Sequence, residues 1–168
     1  YKVAAIKDAD FLRRLHDAAD ALRARDLEAM ADAVHRCAVL HLEHIAASGD
    51  PFEFGSARPL DFGHWAAHKL ESMSGFTMPH GQAVAIGVAL DSCYAAGEGW
   101  ISEPDLQLLL AGMTRTGLGV YDDLLSRRTP AGMLDVLGGL DEFREHLGGE
   151  LTVTMPRPLG EKIEIHQL

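Results

Sequence analysis

Three histidines carry most of the chemistry this sequence could do: His64, His68 and His80. His64 and His68 are four residues apart and Glu71 follows three later, a spacing that puts all three on one helical face. Asp61 extends the same expected stripe, opposite the apolar Phe62, Ala66, Leu70 and Met73. His80 comes one short loop later, just ahead of Gly81 and a second, mostly apolar run. Neutral imidazole suits zinc, and a catalytic zinc takes three protein ligands and keeps one position open. The same groups can transfer protons near neutral pH. In a chain with nine His such a pair also arises by chance, and the bland alternative is a polar stripe on a half-exposed helix with His80 as a cap. The zinc-protease signature needs a Glu directly after the first His; Trp65 stands there, which argues against a protease.

The elements that must position these residues read as helices. Asp8-Ala9-Asp10 followed by Phe11, Leu12, Leu15, Ala18, Ala19 and Leu22 reads as a capped amphipathic helix, and Asp26 caps another running to about Ser48. His35, His41 and His44 lie on the latter and are expected to be exposed or partly exposed. A loop over residues 49–59, with Gly49, Pro51, Gly55 and Pro59, delivers the chain to the histidine helix, which ends near Ser74-Gly75. Gly81 to Ala96 is apolar almost all round and rich in small residues, the pattern of a helix buried at a bundle centre. Ser102-Glu103-Pro104 starts a helix that stops at Gly117. Shorter helical pieces are expected near Asp122–Ser126, from Thr129-Pro130 to Leu137, and from Asp141 to His146, closed by Gly148-Gly149. Leu151–Met155 and Lys162–Ile165 alternate at period two across a Pro/Gly turn, a small hairpin. The expected fold is mostly α, one domain over residues 1–168 with a terminal β-hairpin.

Composition narrows the partners. The 168 residues carry a formal net charge of −10, which disfavours nucleic acid as a partner because that needs a concentrated basic surface. No run reaches the ~20 apolar residues of a membrane span, so no membrane partner is expected. Cys37 and Cys93 are too few and too isolated for a disulfide framework or a thiolate zinc site, and read as reduced core thiols of a cytoplasmic protein. A chain that begins Tyr1-Lys2-Val3, without an initiator Met, reads as a fragment, a processed product or a domain of something longer. Arg13-Arg14, Arg127-Arg128 and Asp122-Asp123 read as solvated pairs or helix starts.

Phe62-Gly63-His64 with His68 and Glu71, followed by His80-Gly81-Gln82-Ala83-Val84-Ala85-Ile86-Gly87, resembles the 3-dehydroquinate synthase superfamily of sugar phosphate cyclases. The family pattern reads Asn-Phe-Gly-His-x-x-x-His-x-x-x-Glu, then His-Gly-Glu-Ala-Val-Ala-Ile-Gly. The resemblance covers essentially the whole chain as that family's helical C-terminal, metal-binding domain. It implies an N-terminal NAD-binding domain that this chain lacks, NAD as cofactor, and a divalent metal, zinc or cobalt, held by two His and one Glu. By motif His64 and His80 match the two His. The Glu belongs to a Glu-x-x-Lys motif whose Lys matches Lys2, which places that Glu two residues before Tyr1. His68 matches an active-site His near the substrate phosphate. No residue of this chain is assigned to NAD. The family also implies a homodimer acting on a small-molecule sugar phosphate, by phosphate elimination and carbocycle formation.

The departures from the pattern point to a branch. Asp61 stands where dehydroquinate synthases carry Asn, the expected upstream Arg is matched only by Arg58 one residue out of register, and His146 takes the place of a substrate-binding Lys. Gln82 replaces the Glu of the second motif. Asp61 and His146 look more like the 2-epi-5-epi-valiolone synthase branch, which cyclises a heptulose phosphate without a carboxylate. The alternatives are a 3-dehydroquinate synthase proper, an iron-type polyol or alcohol dehydrogenase with a similar His-x-x-x-His, and a helical assembly domain without activity. Isolated from its NAD-binding half and lacking one ligand, this polypeptide is expected to be inactive.

Overall fold

A computed structural model describes residues 1–48, 61–146 and 151–167. The expected loop at 49–59 and the Gly148-Gly149 stop therefore lie outside the described residues. The chain opens with α1 (Lys2–Lys7), a short helix the sequence patterns did not suggest, which buries Ala4, Ala5 and Ile6. It ends at Asp8, whose extended backbone lets the side chain accept from Phe11 N–H at 2.8 Å and cap α2 (Ala9–Asp17). The same carboxylate accepts from Arg36 Nε and Nη2 at 2.9 and 2.6 Å, so one residue caps α2 and ties it to α4 (Leu27–Ser48).

The helix expected to run from Asp8 through Leu22 is broken. Ala18, at φ −84° and ψ 2°, leaves the helical well and turns the chain into α3 (Ala19–Arg23). Arg115 Nη2 meets Asp20 Oδ2 at 2.6 Å across the α3–α7 contact, where α7 spans Glu103–Thr116. On α4 the spacing of Asp26 does what was expected, accepting from Ala29 N–H at 2.9 Å. One expectation there fails: His44 is buried, at 8 % exposure, rather than exposed. The inward turn of this part of α4, which also buries Leu40, overrides the residue's polarity. His35 and His41 are exposed, and neither cysteine is the core thiol expected: Cys37 is half-buried on α4 and Cys93 is exposed on the outer side of its helix.

The central helix is α6 (His80–Gly97), which follows α5 (His64–Met73). It buries Ala83, Ala85, Ile86, Gly87, Val88 and Ala89, small side chains that let neighbours approach closely. On one side lies a core with Phe11, Leu12, Leu109 and Met113, all essentially buried; each such side chain contributes about 1.5–3 kcal/mol. On another, Ala67 and Leu70 of α5 meet Ala83 and Ile86. A third cluster gathers Trp65, Val136, Phe143, Val153 and Met155 beneath α8 (Gly138–His146).

Between α7 and α8 the expected helix over 129–137 does not form. Thr129 N–H donates to Met133 O at 2.8 Å around a turn whose Gly132 has φ +85°, and Arg128 pairs with Leu134 as a β-bridge. Pro130 lacks an N–H and Gly132 takes the left-handed conformation, so the segment folds back and keeps only a 3-10 turn at Asp135–Leu137. The hairpin forms as expected: β1 (Val153–Pro156) pairs antiparallel with β2 (Lys162–Ile165), Val153 opposite Ile165 and Met155 opposite Ile163. Among the described residues no helix is long and apolar enough to cross a membrane.

Candidate metal centre

Everything at the candidate site depends on how α5 begins. Gly63 adopts φ +78°, a conformation that L side chains rarely take, and His64 is the first helical residue. This corrects the expected stripe. Asp61 precedes the helix, and the left-handed Gly63 breaks the register, so only His64, His68 and Glu71 share the α5 face. Asp61 is half-buried just ahead of that helix. Gly63 is also a contact point: a Cβ on it would lie 2.6 Å from Val88 N, and one on Gly87 would lie 2.0 Å from Gly63 O. Helices α5 and α6 therefore touch backbone to backbone at the point where α5 starts.

This contact brings the three histidines together. Ring centroids lie 5.5 Å apart for His64 and His80, 5.7 Å for His64 and His68, and 6.2 Å for His68 and His80. Two of the rings have their tautomer set by a neighbour. His64 Nδ1 lies 3.2 Å from Phe62 O; a carbonyl only accepts, so Nδ1 carries the proton and Nε2 keeps its lone pair. His80 Nδ1 lies 3.1 Å from Glu71 Oε1; a carboxylate only accepts, so Nδ1–H faces it and Nε2 is the nitrogen left to bind a metal. A His bonded through one nitrogen to a carboxylate or carbonyl, with the other nitrogen free, is the usual arrangement of a metal-ligating imidazole. Burial first, and then the charge of Lys2, lowers the His64 pKa to about 4, so this imidazole is neutral near pH 7, the form a metal binds. That influence puts Lys2, on α1, on the same side of the domain as the histidines.

Among the described residues no group of three or more His, Cys, Asp or Glu is arranged to hold a metal ion. His64 and His80, each with Nδ1 against an acceptor, fit two nitrogen ligands of a metal. Arg58 lies outside the described residues. Of His146 only the helical backbone closing α8 is described. Lys69 Nζ donates to Glu142 Oε1 at 2.6 Å, holding α8 against α5.

Two further groups support the site, neither of them given a role by the sequence patterns. Gln82 Nε2 donates to Gly119 O at 3.1 Å while Gly119 N–H donates to Gln82 Oε1 at 3.2 Å, pinning the segment after α7 beside the α6 N-terminus. An amide does both and an ionised carboxylate cannot, which gives the Gln-for-Glu departure a physical reason. Gln82→Glu is expected to destabilise the fold by about 1–3 kcal/mol, because a carboxylate would face the Gly119 carbonyl; a urea midpoint equal to wild type would contradict it.

The other group is Asp91, 1 % exposed. Its Oδ2 accepts from Gly63 N–H at 3.0 Å and its Oδ1 from Trp65 Nε1–H at 2.8 Å. Burial raises its pKa to about 7, against the opposing pull of those two donors. The signal was visible in outline: Asp91 is the one charged residue in the run from Gly81 to Gly97. Polarity alone did not say whether that carboxylate faced solvent or core.

The chain matches the family model described as "3-dehydroquinate synthase C-terminal" over residues 1–134. It is 32 % identical over 164 residues to the 3-dehydroquinate synthases of Acinetobacter baumannii strains SDF and AYE, covering 96 % of this chain and 43 % of each relative. Among solved structures it is similar to ValA, the 2-epi-5-epi-valiolone synthase of Streptomyces hygroscopicus subsp. jinggangensis 5008, a structure with NAD+ and Zn2+ bound. The TM-score is 0.85 and the identity 25 %, covering 99 % of this chain and 45 % of that one. The chain thus spans less than half the length of these relatives.

Proposed function

The chain belongs to the 3-dehydroquinate synthase family, and from that premise we propose that it is the metal-binding half of an NAD-dependent sugar phosphate cyclase. The observation that carries this reading is the pair His64 and His80. Their rings stand 5.5 Å apart, each with Nδ1 against an acceptor, at Phe62 O and Glu71 Oε1 respectively. We assign the third ligand to the Glu that the family's Glu-x-x-Lys motif places two residues before Tyr1, and NAD to the family's N-terminal domain.

Bound together, NAD supplies transient oxidation of one hydroxyl and the metal supplies polarisation of the oxygens at the reacting carbons. The protein's residues bind and hold protons. Phe62 O and Glu71 fix Nδ1–H on the two ligand rings, so that both offer Nε2. To His68, exposed and beside both rings, we assign the substrate phosphate, which it would hold or protonate as it leaves, with Lys2 supplying positive charge. Asp61, His146 and Arg58 are assigned to the far end of the substrate.

For the substrate we favour a heptulose phosphate. Asp61 in place of Asn puts an acid where a carboxylate-bearing substrate needs a neutral donor, and the likeness to ValA supports the same branch. The test is to incubate the full-length protein with NAD, zinc and either a heptulose 7-phosphate or the seven-carbon acid phosphate used by dehydroquinate synthases. Phosphate release from the heptulose, with no accumulated NADH, is expected. Turnover of the acid alone would return the protein to the dehydroquinate branch, and NADH build-up from a simple polyol would make it a dehydrogenase.

Glu71 offers a narrower check. Glu71→Gln keeps the shape but replaces an anion by an amide, and zinc affinity is expected to fall about 10- to 100-fold in a chelator-competition titration. An unchanged affinity would mean Glu71 does not orient His80.

A further inference from the structure

We propose that Asp91 is a positioning residue for the ligand His64, an inference that rests on the metal-ligand reading above. Asp91 sits on α6 and is 1 % exposed. Its two oxygens are spent on the residues that flank His64 in sequence: Gly63 N–H at 3.0 Å before it, and Trp65 Nε1–H at 2.8 Å after it.

A buried carboxylate served only by neutral donors is a costly way to stabilise a core, since a well-packed apolar residue would serve as well or better. What the carboxylate does, and an aliphatic side chain could not, is satisfy the start of α5. The N-cap of that helix is Gly63, which has no side chain to cap with. The first N–H groups of a helix lack partners within it, so Asp91 works as a cap reaching in from the neighbouring helix. It lies one turn beyond Gly87 along α6, the residue whose backbone touches Gly63.

The two contacts divide the geometry between them. Gly63 against Gly87 sets how closely α5 approaches α6. Asp91, gripping both sides of His64, sets how the first turn of α5 is rotated about that contact point. The ring then follows, because its Nδ1–H donates to the carbonyl of Phe62, the residue just before the gripped Gly63. Rotation of this turn moves Nε2 away from its place opposite His80.

The test uses the full-length protein, with zinc affinity measured by chelator competition and stability by urea midpoint. Asp91→Asn is isosteric but has one acceptor, so its amide nitrogen must face one of the two donors; zinc affinity is expected to fall about 10- to 100-fold. Trp65→Phe removes the indole donor, and the double variant D91N/W65F frees the Asn oxygen for Gly63 N–H. That double variant is expected to bind zinc more tightly than D91N alone, a recovery that loss of core packing cannot produce. Leu109→Ala, on α7 rather than on either histidine helix, supplies a destabilised control whose zinc affinity is expected to stay within about threefold of wild type.

Zinc affinity of D91N equal to wild type, or lowered no more than in L109A, would overturn the positioning role. A wild-type protein that takes up no stoichiometric zinc, or a His64→Ala variant that binds it unchanged, would instead overturn the metal reading and the present inference with it. The two failures are therefore told apart.

Discussion

Replacing His80 by Ala in the full-length protein is expected to abolish stoichiometric zinc and lower turnover by roughly a thousandfold or more, because a metal at the reacting oxygens supplies several kcal/mol. The fold should survive. The His80 side chain is 55 % exposed and its bond is to a surface-reachable carboxylate, so the cost in stability should be within about 0.5 kcal/mol. His64→Ala should match it in activity and zinc content, though this residue is half-buried and bonded to Phe62 O. The double variant should be scarcely worse than either single one, since ligands of one ion act as a unit. Zinc retained at one equivalent in either variant, by metal analysis after dialysis, would remove that residue from the ligand set.

A second large effect is expected from a methyl group. Gly87→Ala would place a Cβ 2.0 Å from Gly63 O and 2.9 Å from its carbonyl carbon, both main-chain atoms that no rotamer change can move. The helices must part, and the expected loss is about 3 kcal/mol or more, at the upper end of overpacking. Zinc affinity should fall with it, because separating α5 from α6 separates His64 from His80. The contrast lies ten residues on. Gly97 closes the same helix with nothing within 4 Å of its would-be Cβ, so Gly97→Ala is expected to be neutral or to stabilise by up to about 1 kcal/mol. Opposite signs in the two urea midpoints are the expected result; a Gly87→Ala protein as stable as wild type would mean the close approach does not exist.

Much of this architecture could be read from residues alone, for reasons that differ along the chain. Asp26 and Ser102 name the starts of α4 and α7 because a short acceptor side chain has a strong local use there, and both bonds form, to Ala29 and Asp105. The apolar run after His80 could only be a buried helix, and α6 is one. The hairpin followed from its period. The histidine cluster was legible because helical spacing and a short return loop constrain distance without knowledge of the tertiary fold.

What could not be read was decided by backbone conformation and by neighbours distant in sequence. Asp61 fits the His64 stripe only if the helix runs through Gly63, and the left-handed turn there is demanded by the approach of Gly87, which no local pattern reveals. Ala18 looks like a helix interior residue, yet the chain turns there to lay α3 on α7. His44 looks polar and is buried. Asp91 gave its type and no hint of its partners, 26 and 28 residues away. Pro130 and Gly132 are turn-forming residues, and around them the helix expected over 129–137 gives way to a turn closed by Thr129 N–H on Met133 O.

The two central helices are cross-braced. Helix α5 presents His64 and carries Glu71, which holds the ring of His80; helix α6 presents His80 and carries Asp91, which grips the residues either side of His64. Neither helix can shift without disturbing both a donor of its own and the support of its partner's donor. A joint built this way has no independent halves. Small slippage would lower the affinity for an ion at both nitrogens together, and an ion bound between them would in turn clamp the helices.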